Sequence, residues 1–141
     1  MKNQESSVNN PLTLHSIVNR ISLSSLPSAT KKHSLIINDV EANLEVTTDE
    51  NLLATIFGTL LNTVITHSEN SCIRISAKLY GKVGLIHLKE SPQLNHFTFS
   101  RKLKEMQQLA GMIGGAISIS KENDRSTSIV FSFVNNLSLA A

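Results

Sequence analysis

The stretch TLLNTVITHSE, Thr59 to Glu69, carries five hydroxyl or amide side chains and a histidine. Oxygen groups of these kinds can ligate a hard cation or meet a phosphate, and His67 can contact a phosphate or act as a general base. Further along, Glu90 in LKESPQL is a carboxylate that can accept from a ligand, and Arg101, Lys102 and Lys104 in SRKLKE can offset phosphate charge. Each group also has a plain reading: a wet helix surface, a histidine at a helix end, a solvated charge at a strand end, a solvated helix face.

These residues need elements to hold them. Apolar residues come in pairs every four positions, Leu52 and Leu53, Ile56 and Phe57, Leu60 and Leu61, Val64 and Ile65, which paints one broad stripe on a helix. Thr47 with Glu50 three residues later fits a capping box at its start. The leftover face holds Thr55, Gly58, Thr59, Asn62 and Thr66, with Thr63 at its edge and four residues after Thr59. Small polar groups without lysine or glutamate suit a face that lines a groove.

The remaining chain alternates between the two periodicities. Residues 1–11 are expected to be a flexible lead-in, 12–135 one domain, and 136–141 a tail. Leu14, Ile17, Val18, Ile21 and Leu26 predict a first helix, with a kink or end at Pro27. SLIINDV and NLEVTT read as short strands, and SCIRISAKL and VGLIHLKE as two strands joined by a tight turn at Gly81. A helix is predicted from about Ser100 to Ala110, turning Leu103, Met106 and Leu109 inward and closing at Gly111 or Gly114. AISIS and TSIVFSFV supply two last strands. The order predicts an α/β (α+β) two-layer sandwich, a mixed and mostly antiparallel sheet with helices on one face.

Composition excludes several classes. Thirteen basic against eleven acidic residues leave a formal charge of +2, without the dense basic run or interleaved aromatics that grip nucleic acid. The single Cys72 has no disulfide partner and no second thiol for a metal knuckle, and it reads as a buried structural thiol in a reducing compartment. No apolar run reaches the roughly 18 residues of a membrane span, so a cytoplasmic domain is expected.

The element order, with TTDENLLATIFGTLLNTVITHSENSCIRISA and LKEMQQLAGMIGGAISISKENDRSTSIVFSFV, resembles the ATP-binding catalytic domain of sensor histidine kinases, in the GHKL superfamily of gyrase, chaperone and mismatch-repair ATPases. The resemblance runs from about Leu12 to Val134 and implies a Bergerat-like ATPase fold. In that family the helix carries two asparagines four residues apart, the second of which binds the magnesium that bridges the ATP phosphates. Those places fall on Thr59 and Thr63; Asn62 points about 100° away. Thr63 is thus a weak magnesium candidate, a shorter and neutral donor–acceptor. The family's basic residue near the helix end falls on Thr66 or His67. Glu90 stands where the adenine-reading aspartate belongs, one methylene longer, and Pro92 replaces a glycine of the turn that follows.

The family's long ATP lid has no counterpart: only PQLNHFTFS lies between Ser91 and Arg101, without a glycine. Phe97 and Phe99 fall there and are expected either to fill the vestigial nucleotide groove or to make ordinary core contacts. His15 lies on a predicted helix without the second helix of a kinase hairpin, so no phosphoacceptor and no catalytic residue is named. Thr59, Thr63 and Glu90 are the vestigial nucleotide-site positions. The resemblance and its departures imply a degenerate domain of two-component signal transduction, a pseudokinase without cofactor. Its partner would be a protein such as a kinase dimerisation hairpin or a response-regulator receiver. The alternative keeps ATP and magnesium and transfers phosphoryl to a histidine on another domain or chain.

Overall fold

The computed structural model describes residues 12–91, 96–122 and 126–135, with positions 12, 96–102, 121 and 122 described through the backbone alone. In chain order the elements are β1 (Leu12–Thr13), α1 (Leu14–Ser24), α2 (Leu26–Lys31), β2 (Leu35–Asn38), β3 (Glu45–Val46), α3 (Glu50–Thr66), β4 (Cys72–Tyr80), β5 (Val83–Ser91), α4 (His96–Gly111), β6 (Ala116–Glu122) and β7 (Ser126–Val134). Five strands form one sheet in the order β2-β4-β5-β7-β6, while β1 and β3 pair as a separate two-stranded ribbon. Only β2 and β4 run parallel; the other neighbours in the sheet are antiparallel. This is the expected mixed, mostly antiparallel sheet with helices.

Alternation decides which face is covered. On β5 the even positions Gly84, Ile86, Leu88 and Glu90 are buried, and the odd ones from Val83 to Ser91 are exposed or half-buried. Ile86 and Leu88 join Ile73, Ile75, Ile129 and Phe131 with the α3 stripe in one core cluster. Leu53, Ile56, Phe57, Leu60, Leu61 and Val64 are all fully buried, as the doubled pattern requires. Gly84 makes room in this layer: a Cβ there would lie 2.3 Å from the Phe133 ring.

Several local expectations change. The helix cap is Asp49 and not Thr47; its Oδ1 accepts from Leu52 N at 3.0 Å, and Glu50 instead pairs with Arg20 at 3.5 Å. Thr47 lies too far outside the helix to cap it. Its backbone N–H donates to Asn135 Oδ1 at 2.6 Å, which ties the approach to α3 to the end of β7. The first predicted helix is two, broken at Ser25, with Pro27 in the first turn of α2, where its missing N–H costs no helical bond. Leu26 therefore leaves the α1 stripe and is 50% exposed. Helix α4 begins at His96, four residues before the expected start.

Two glycines act as foreseen. Gly81 (φ 62°) opens the β4–β5 turn, and Gly114 (φ 69°) takes the left-handed conformation after α4. The side chain of Gln107 on α4 lies along the outer edge of β6, donating to Ile117 O and accepting from Ile117 N at 2.9 Å.

The cap assignment has a direct check. Asp49→Ala is expected to lower stability by about 1 kcal/mol, and Thr47→Ala by less than about 0.5 kcal/mol, read from urea unfolding midpoints. Equal losses would return the cap to Thr47.

Candidate functional site

Towards the end of α3 several side chains fold back onto the helix's own carbonyls, those of Thr59 and Asn62 inside the helix and those of Thr63 and Val64 in its last turn. Thr63 Oγ1 donates to Thr59 O at 2.7 Å, Thr66 Oγ1 to Asn62 O at 2.8 Å and Ser68 Oγ to Val64 O at 2.5 Å. His67 Nδ1 lies 2.9 Å from Thr63 O, and since a carbonyl only accepts, that nitrogen carries the proton there. Each bond reaches back four residues, the pattern open to a short hydroxyl side chain on a helix.

Thr59 and Thr63 are thus linked through the Thr59 carbonyl. Thr63 is 6% exposed, while Thr55, Thr59, Asn62 and Thr66 face solvent among the described residues. For a divalent cation Thr63 offers only a neutral hydroxyl oxygen, a poor match for the carboxylate and phosphate shell that magnesium ordinarily takes. Among the described residues no three His, Cys, Asp or Glu side chains stand together as a metal site.

Glu90 is placed quite differently from a solvated strand end. Strand register sets it on the inner face between Ile73 of β4 and Thr127 of β7, and it is 1% exposed. Neither carboxylate oxygen has a hydrogen-bond partner among the described residues. Burial pushes its pKa above the ordinary 4.5, with the Ser71 and Ser68 hydroxyls nearby opposing the shift. Those hydroxyls donate to the Glu69 and Val64 carbonyls, so burial prevails.

The structure therefore brings Glu90 together with Ser68, Ser71 and Thr127, three residues that reading the sequence did not single out. Strand parity was the available signal: Glu90 continues the even-numbered series of Ile86 and Leu88. Beyond Glu90, β5 ends at Ser91 and α4 begins at His96, so residues 92–95 are the whole connection. Phe97 and Phe99 lie on the first turns of α4; whether their rings fill the groove, and where Arg101 and Lys102 point, lies outside the described residues. Lys104 is exposed, as expected of a solvated helix face, and so is Glu105 beside it.

No protein-family model matches the sequence, and no curated protein matches it significantly. Solved structures do. Histidine kinase AdeS of Acinetobacter baumannii superposes with a TM-score of 0.76 at 11% identity, over 90% of this chain and 67% of that one. The fold is that of histidine kinase catalytic domains. Full-length ShkA, solved in complex with AMPPNP, gives a TM-score of 0.75 at 16% identity over 90% of this chain and 31% of ShkA. Histidine kinase ThkA, solved with the response regulator TrrA, gives 0.68 at 12% identity over 90% and 42%. On this histidine kinase-type fold, the positions that the sequence resemblance singled out lie at the end of α3 (Thr63) and the end of β5 (Glu90).

A carboxyl group whose pKa is raised by folding makes the folded state bind the extra proton. Its stabilisation is complete below the unfolded value and is lost as pH rises through the raised one. Urea unfolding from pH 4 to pH 8 should therefore show stability falling above the ordinary value of 4.5. In Glu90→Gln this component should vanish, leaving the variant at least as stable as the parent at pH 8. Identical profiles for the two would mean that Glu90 is solvated.

Proposed function

We propose that this chain is a degenerate histidine kinase-type domain of two-component signalling, acting in the cytoplasm as a non-catalytic regulatory or protein-binding module. The observation that carries the reading is the length of the connection between β5 and α4, residues 92–95. Four residues span at most about 14 Å when fully extended. That is enough to join a strand to a helix, but it leaves no loop to fold over a triphosphate and present backbone amides to it. The end of α3 supports the same reading, because the protons of the Thr63, Thr66 and Ser68 hydroxyls already go to the helix backbone and are not offered to a phosphate.

One observation favours a second reading, in which ATP still binds. Glu90 is a buried carboxylate with no partner among the described residues, at the place that the family resemblance gives to the adenine-reading acid. Phosphoryl transfer would need more than this, since it rests on metal and donors positioned around the transferring group. For the partner, ThkA solved with TrrA supports a response-regulator receiver, and a kinase dimerisation hairpin is the other candidate.

Calorimetric titration with ATP and ADP, with and without magnesium, separates the two readings. No saturable heat is expected at about millimolar nucleotide, the level at which binding free energy falls to about 4 kcal/mol. One-to-one binding at micromolar affinity, abolished in Glu90→Gln, would overturn the non-catalytic reading in favour of the ATP-binding one.

A further inference from the structure

Glu90 has two serine hydroxyls beside it, and each of them has a second acceptor. Ile73 is the register partner of Glu90, so Ser71, two residues before Ile73 and of the same inward parity, is its diagonal neighbour across β4 and β5. Ser68 comes in from the turn that joins α3 to β4, and both hydroxyls lie near enough to act on the carboxyl. In the structure they are turned elsewhere: Ser68 Oγ donates to Val64 O at 2.5 Å and Ser71 Oγ to Glu69 O at 3.1 Å. Both carboxyl oxygens are left unmet. That arrangement fits a neutral carboxyl, because a carboxylate sealed at 1% exposure would draw any donor within reach.

The two serines sit at a joint between two turns. Ser71 O accepts from Leu35 N at 2.9 Å, Ser71 N donates to Ser34 Oγ at 3.1 Å, and Asn70 N donates to Lys32 O at 2.9 Å. These bonds tie the α3–β4 turn to the turn between α2 and β2. Each turn also holds a non-glycine residue in the left-handed region, His33 at φ 56° and Asn70 at φ 52°, a conformation that persists only while its surroundings enforce it.

Other titratable groups surround this joint. By strand parity Cys72, Arg74 and Lys89 belong to the opposite face of the sheet, and Thr127 is the residue facing Glu90 from β7. Lys31, His33 and Glu69 are exposed, as are Lys104 and Glu105 on α4, and Lys32 is half-buried. His67 is turned to Thr63 O. The side chains of His96, Arg101 and Lys102 on α4, and those of residues 121–125 before Ser126, lie outside the described residues.

We propose that the proton on Glu90 sets which of two hydrogen-bonded forms the α3–β4 turn adopts. With the proton on, the two serines hold the carbonyls of Val64 and Glu69, as in the structure. When the carboxyl gives its proton to water, each hydroxyl rotates to donate to the carboxylate, and the two carbonyls lose their hydroxyl donors. Ser71 Oγ, which accepts from Glu69 N at 3.3 Å, keeps that role as it turns, so each serine exchanges one bond for one. The bonds to Lys32, Ser34 and Leu35 carry the change to the start of β2. The switch needs no ligand and stands apart from the reading of the domain as non-catalytic.

The test is NMR of the intact chain from pH 4 to pH 8, following the Glu90 carboxyl carbon and the backbone amides. The carbon and the amides of Glu69, Ser71 and Leu35 are expected to titrate together, with one midpoint above 4.5. In Glu90→Gln these amide shifts should vanish. Ser68→Ala and Ser71→Ala each remove a donor to the charged form and should raise the midpoint by about one pH unit. Three outcomes overturn the proposal. One is amide shifts that persist in Glu90→Gln, which would belong to His33 or His67. Another is a Glu90 carbon that titrates while the amides stay still. The third is a midpoint that neither serine variant moves, and this decides the matter alone if Glu90→Gln does not fold.

Discussion

The packing of the α3 stripe into one core with the inward rows of β4, β5 and β7 is the contact on which the rest depends. It fixes the parity of the central strands, because slipping one strand by a residue would turn every side chain to the other face. Parity then determines both surfaces at once. Lys89 is exposed while Glu90, its neighbour in sequence, is sealed in. Gly84 belongs to the same constraint: a side chain at this inward position would displace the Phe133 ring and open the layer.

Around the candidate site the same polar residues have two uses that compete. A hydroxyl has one proton to donate, and at Thr63, Thr66 and Ser68 it goes to a carbonyl of the helix itself. Those protons are therefore turned back onto α3 and not offered outward. Glu90 has the opposite character, a group able to accept that the described surroundings leave unsatisfied. A folded domain retains such a carboxyl at a cost that burial alone would select against. The two positions therefore differ in kind, one internally satisfied and one not.

Much of the architecture was legible because it depends on periodicity. The paired leucines and isoleucines of α3, the alternation in VGLIHLKE and the glycines at 81 and 114 each have few physical interpretations. Less legible were features that depend on a shift of one or two residues. Thr47 and Asp49 are both capping residues next to the same stripe, and only the chain path chose Asp49. The Ser25 break was hidden because Leu26 continues the spacing of α1 while belonging to the next helix. Glu90 was read as a chemical type at a strand end, although its even-numbered parity with Ile86 and Leu88 already pointed inward. Its proximity to Ser68 and Ser71 comes from a turn between α3 and β4 that no local pattern announces.

The amide of Gln107 lies against Ile117 much as a neighbouring strand would, with one bond given and one received. An outer strand with free backbone groups is a template on which other chains can polymerise. At this position of β6 an incoming strand meets groups that are already satisfied and must first dislodge a side chain anchored on a helix. Gln107 thus occupies the outward backbone groups of Ile117 upstream of the charged end of β6 at Lys121 and Glu122.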